Sequence, residues 1–128
     1  MEKIKILTIE DDPAIIQALK DILPFYDIEC EILHNGKEAL RRLEEIKEGK
    51  KEKPKLILLD LLLPDVNGFE ILKEIKRDEK TKDIKVFVLT NYYKEDLNEE
   101  LQKEGADKIL LKVNYTLDEV ARLIKENI

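Results

Sequence analysis

The sequence predicts an α/β fold, a doubly wound five-stranded parallel sheet with helices on both faces. Three observations predict it. A short apolar run followed by an amphipathic stretch recurs five times within 128 residues. Three of the apolar runs are near-continuous Ile, Leu and Val, as strands buried on both faces require. Parallel neighbours also need a crossover between them, and the amphipathic stretches are of the right kind to supply it.

The first strand is Ile4–Ile9. Pro13 then opens a helix behind Asp12: proline suits the first helical position, and aspartate is a favoured N-cap. Ile15, Ile16, Leu19, Ile22 and Leu23 fall on one stripe of that helix. The second strand, Ile28–Leu33, alternates Ile28, Cys30 and Ile32 with Glu29 and Glu31, the pattern of an edge strand with one wet face. Asn35-Gly36 precedes a second helix striped by Ala39, Leu40, Leu43 and Ile46, and a charged loop from Glu48 to Lys55 follows. The third strand is Leu56–Leu59, with Phe69, Leu72 and Ile75 on the helix after it. Val86–Leu89 is the fourth strand, and its helix, around Leu97 and Leu101, is thin and mostly charged. Ile109–Leu111 is the fifth. Leu117, Val120, Ala121 and Ile124 stripe the last helix, whose opening Thr116-Leu-Asp-Glu119 reads as a capping box. An edge-like second strand beside buried first and third strands favours the order 2-1-3-4-5, the flavodoxin-like (βα)5 arrangement. Residues 1–128 are expected to form one domain.

Composition narrows the function. Net charge is −6, from 23 Lys and Arg against 29 Asp and Glu with the signs interspersed. That disfavours nucleic acid and anionic membranes as partners. One cysteine cannot build a disulfide framework or a Cys-rich metal site. No apolar run approaches the roughly 18 residues of a membrane span. The start, Met1 to Ile9, lacks the apolar block of a signal peptide. A cytoplasmic, reducing location is expected.

In a doubly wound sheet ligands bind beyond the carboxyl ends of the strands, where the winding reverses. The first strand here ends in Glu10-Asp11-Asp12, the third in Asp60, the fourth in Thr90 and the fifth in Lys112. Adjacent strands are about 4.8 Å apart, so Glu10, Asp11 and Asp60 should converge. Two like charges about 4 Å apart repel by roughly 4 kcal/mol at an effective dielectric of 20. A hard divalent cation is the natural resolution, and Mg²⁺ takes one or two carboxylates while leaving room for a phosphate oxygen. Lys112 and Thr90 add a cation and a hydroxyl suited to a phosphoryl group. Asp60 is then the candidate nucleophile, because aspartate forms acyl phosphates.

With these residues in place, the chain resembles the receiver domains of two-component response regulators, from about Lys3 to the C-terminus. The most specific stretch is Leu56-Ile-Leu-Leu-Asp60-Leu-Leu-Leu-Pro64-Asp-Val-Asn-Gly68. The resemblance implies that Asp60 accepts a phosphoryl group, with Thr90 and Lys112 contacting it. It also implies an Mg²⁺ site made by Glu10 (through water), Asp11, Asp60 and the carbonyl of Leu62. A histidine kinase or phosphotransfer protein is the implied donor, and the only catalysis implied is that of the domain's own phosphorylation and dephosphorylation. Output would run through protein contacts to a target that the sequence does not name, from a stand-alone monomer or weak homodimer. Three positions depart from the family pattern. Ile109 stands where an aromatic is usual, Val113 where proline usually follows the lysine, and Asn91 where a small residue usually follows the hydroxyl.

By the same resemblance, Leu62 and Tyr92 flank the path of the hydrolytic water; both are bulky, and slow self-dephosphorylation is expected. Asp12 reads equally as an N-cap and as a third acid of the site. Cys30 reads as a small core-facing residue, His34 as a surface residue, and Tyr92 and Tyr93 as packing or a partner surface. The main alternative is a degenerate receiver that acts as a phosphorylation-independent interaction module. A haloacid-dehalogenase-type phosphatase would want a second Asp where Leu62 stands. A flavin module would not place Glu10-Asp11-Asp12 where phosphate must bind.

Overall fold

The computed structural model describes residues 3–92 and 94–128. Five strands, β1 (Ile4–Ile9), β2 (Ile28–Leu33), β3 (Leu56–Leu59), β4 (Lys85–Thr90) and β5 (Lys108–Leu111), form one sheet in the order β2-β1-β3-β4-β5. Every pairing is parallel. The helices between them are α1 (Pro13–Ile22), α2 (Gly36–Lys47), α3 (Gly68–Arg77), α4 (Glu95–Glu104) and α5 (Leu117–Glu126). Short 3₁₀ turns occupy Leu23–Tyr26 and Lys112–Asn114. The expected fold class and strand order are therefore those observed. β4 and β5 start earlier than their apolar runs, at Lys85 and Lys108, and β4 runs on to Thr90.

Burial explains the alternation. All four residues of β3 are buried, with helices covering both of its faces. One core joins Leu7, Ile57, Leu59 and Val88 to Ala39 and Leu43 of α2 and to Ile71 and Ile75 of α3. The other joins Ile6, Leu58 and Phe87 to Leu19 of α1 and to Val120 and Ile124 of α5. β2, at the sheet margin, exposes Glu29 and Glu31 while its apolar residues turn inward. Asp12 caps α1, its Oδ1 accepting from the Ala14 N–H at 2.9 Å. Thr116 and Glu119 close the capping box of α5. α4 has only Leu101 buried and no side-chain cap, in keeping with its sparse stripe. Among the described residues, no helix is long and apolar enough to cross a membrane.

The minor expectations resolve locally. The Cys30 Sγ lies 2.9 Å from Thr8 Oγ1, and burial pushes its thiol up to about 11, so it is protonated at neutral pH. His34 is exposed and its Nδ1 lies 3.6 Å from Glu38 Oε2. Tyr92 is 39 % exposed, and Tyr93 lies outside the described residues. A cleft of about 240 Å³, lined in part by Lys5, Glu29, Arg42 and Pro54, opens beside β1, β2 and α2, away from the carboxyl ends of β3 and β5.

Candidate functional site

The register of the central strands assembles the site. Ile9 pairs with Leu59, so Glu10 and Asp60, one residue beyond each, leave the sheet side by side. Thr90 pairs with Leu111, which brings Lys112 just past the end of β4. Glu10 is 2 % exposed and Asp60 5 %, whereas Asp11 is exposed. Each of the three offers one carboxylate oxygen within 4.8 Å of the others. The convergence anticipated for the acids is present.

Lys112 lies between two of them. Its Nζ is 2.9 Å from Glu10 Oε1 and 2.9 Å from Asp60 Oδ2. The remaining lone pairs are also engaged: Glu10 Oε2 accepts from the N–H groups of Asp11 and Asp12, each at 3.1 Å, and Asp60 Oδ1 accepts from the Leu62 N–H at 3.1 Å. Thr90 is 1 % exposed, and its Oγ1 accepts from the Tyr92 N–H at 3.2 Å. Leu62 is 56 % exposed and bridges Asn67 in antiparallel fashion.

Burial raises the Glu10 carboxyl to about 7, and the Asp60 charge adds to the rise; the Lys112 hydrogen bond and the Asp12 N–H oppose it. For Lys112, burial pulls the pKa down, but hydrogen bonds to Glu10 and Asp60 and their charges outweigh it, so the net shift is upward. Lys112 is therefore an ammonium at neutral pH, set against three carboxyl groups. The surplus of negative charge and the all-oxygen donor set suit a hard divalent cation.

Glu10 gives the metal-free protein a distinctive pH response. Its folded pKa of about 7 lies above the ordinary 4.5, so between these values the folded state holds a proton that the unfolded chain has released. The contribution of Glu10 is fully present below pH 4.5, falls as the pH rises to about 7, and levels off above. The loss is expected to total about 3 kcal/mol. Denaturant unfolding at a series of pH values in chelator should trace this slope, and Glu10→Gln should flatten it. An identical slope in the variant would remove Glu10 as its source.

The loop from β3 to α3 is fitted tightly. A Cβ on Gly68 would lie 2.6 Å from Leu61 Cα and closer still to the Asp60 carbonyl oxygen, so only glycine lets the start of α3 approach the strand end. The Gly68 N–H donates to the Leu61 carbonyl at 2.9 Å, and Asn67 caps α3 through the Phe69 N–H. Sequence reading picked out Gly68 within a motif. It missed Asp65, whose carboxylate reaches the start of α2, because no periodicity links residues so far apart.

The response regulator receiver domain family model matches residues 6–125. The CpxR homolog of Haemophilus influenzae, a transcriptional regulatory protein, is 35% identical over 120 residues, covering 93% of this chain and 48% of that protein. The chain thus spans about half the length of that curated relative, and 49% of the PhoB regulator of Pseudomonas aeruginosa. The phosphorylated cyanobacterial phytochrome response regulator RcpA superposes with a TM-score of 0.82 at 30% identity, over 97% of this chain and 90% of that one.

Proposed function

Because this chain belongs to the response regulator receiver-domain family, we propose that Asp60 is its phosphoacceptor and that Glu10, Asp11, Asp60 and the Leu62 carbonyl hold an Mg²⁺ ion. The observation that carries the reading is the placement of Lys112 Nζ, 2.9 Å from both Glu10 and Asp60, at the mouth of the acidic cluster. Solved relatives support the metal: the response regulator Rcp1 has been solved in a Mn²⁺-bound form, at 31% identity. No feature of the site favours the degenerate alternative, since every acid and the lysine are in register.

The chemistry of the residues follows from their surroundings. A carboxylate oxygen of Asp60 attacks the phosphorus of a phosphohistidine, and the imidazole leaves with the electron pair of the P–N bond. Before attack, the Leu62 N–H holds Oδ1 and fixes the plane of the carboxylate. Lys112 lies where it can neutralise charge on the transferred group, and the Thr90 hydroxyl, buried at the next strand end, supplies a donor. Mg²⁺, when bound, offsets the negative charge that carboxylates and phosphoryl share. The donor is a histidine kinase or phosphotransfer protein, and the only turnover is of the domain's own aspartyl phosphate.

Incubation with acetyl phosphate and Mg²⁺, read by intact mass, tests this. One added phosphoryl is expected, absent in Asp60→Ala and absent with chelator. A full label on Asp60→Ala would overturn the assignment, and no label on the wild type would favour the interaction module.

A further inference from the structure

The four N–H groups at the start of an α-helix have no partner within the helix. In α2, where the first intrahelical bond runs from the Ala39 N–H to the Asn35 carbonyl, the Asn35 side chain takes the Glu38 N–H. Those of Gly36 and Lys37 go to a residue 29 and 28 positions away: Asp65 Oδ1 accepts from the Gly36 N–H at 2.7 Å, and Oδ2 from the Lys37 N–H at 2.9 Å. Val66 completes the fit. A Cβ on Gly36 would meet Val66 Cγ2 at 2.8 Å, so the loop lies directly against the helix terminus. These N–H bonds hold the Asp65 carboxyl below the usual carboxylate range, against a burial effect that opposes them.

The same loop carries Leu62. At its base, Leu62 bridges Asn67 and the Gly68 N–H donates to the Leu61 carbonyl. At its tip, the Asp65 carboxylate ties it to α2. Leu62 is thus itself part of the base, three residues before the Asp65 anchor, and its N–H holds Asp60 Oδ1 at 3.1 Å.

We infer that Asp65 is a positioning residue: by fastening the β3–α3 loop to the N-terminus of α2, it sets the Leu62 backbone against Asp60 and so tunes the proposed metal and phosphoryl site without touching it. The inference rests on the function proposed above, since it is the Leu62 carbonyl and Asp60 that would serve Mg²⁺. Partners that orient metal ligands typically change affinity by 10–100-fold when removed. Asp65→Ala is therefore expected to weaken Mg²⁺ about tenfold in a calorimetric titration, and to slow acetyl phosphate labelling at limiting Mg²⁺ while saturating Mg²⁺ restores the rate.

Losing a helix cap also costs stability, so a matched control is needed. Thr116→Ala removes the cap of α5, remote from the loop in sequence, and should leave Mg²⁺ affinity unchanged. Asp65→Asn, which keeps an acceptor for one of the two N–H groups, should recover part of the affinity. A metal-free readout completes the test. Amide hydrogen exchange in chelator should speed up in Asp65→Ala at Gly36 and Lys37, and also at Leu62, which Asp65 does not contact. Unchanged Mg²⁺ affinity, or protection lost at α2 alone, would reduce Asp65 to a helix cap and overturn the inference. Wild-type protein that binds no Mg²⁺ would instead overturn the proposed function.

Discussion

Lys112→Ala is expected to cost the metal-free protein about 3 kcal/mol at pH 8 and under about 1 kcal/mol at pH 5. The loss arises because Glu10 and Asp60 are almost fully buried and share the Lys112 ammonium between them. Once it is gone, two carboxylates face each other with hydrogen bonds from backbone N–H groups and no cation. At low pH a proton replaces the lysine, since Glu10 already titrates near 7 with Lys112 in place and moves higher without it. At pH 8 that proton must be drawn from dilute solution, and the folded state bears the cost. Denaturant unfolding in chelator at the two pH values measures it. Lys112→Met, which keeps most of the apolar stem, should lose nearly as much, which assigns the effect to charge rather than packing. A Lys112→Ala protein as stable as the wild type at pH 8 would mean that the bridge carries no net stabilisation.

An aspartyl phosphate formed on Asp60 as proposed is expected to persist for a time on the order of hours, because neither side chain taken to flank the approach of water can orient it for attack. Leu62 and Tyr92 stand two residues past Asp60 and Thr90, and neither offers a carboxylate or amide beside the phosphoryl position. Leu62 is 56 % exposed and Tyr92 39 %, so both are at the mouth of the site rather than in the core. The double variant Leu62→Asn/Tyr92→Ser supplies an amide and opens the approach, and should hydrolyse at least about tenfold faster. The decay of the intact-mass adduct after removal of acetyl phosphate gives both rates. A wild-type half-life of seconds would contradict the shielding.

The fold was legible because its signals are local. The bounds of β1, β2 and β3 coincide with apolar or alternating runs, and Pro13, Asn35 and Thr116 mark helix starts by the chemistry of their own side chains. β4 and β5 begin at Lys85 and Lys108, which an apolar pattern cannot include, because ladder hydrogen bonds belong to the backbone. The 3₁₀ turn at Leu23–Tyr26 was missed for a similar reason: its leucine continues the stripe of α1. The acids of the site could be read from strand ends, since topology alone carries them to one edge. Contacts made across the fold could not. That Lys112 bonds Glu10 as well as Asp60, and that Asp65 closes α2, depends on register and loop shape.

The sheet's two margins bear on how the protein behaves when concentrated. A bare strand edge is a template on which another chain can lengthen the sheet, the first step toward fibrils. Any molecule adding to β2 would have to lie against Glu29 and Glu31, the latter gripped by Arg42 through two hydrogen bonds of 2.6 and 2.5 Å. β5 offers four residues, starting with a lysine. The charges along β2 and the shortness of β5 thus oppose sideways growth of the sheet into its neighbours.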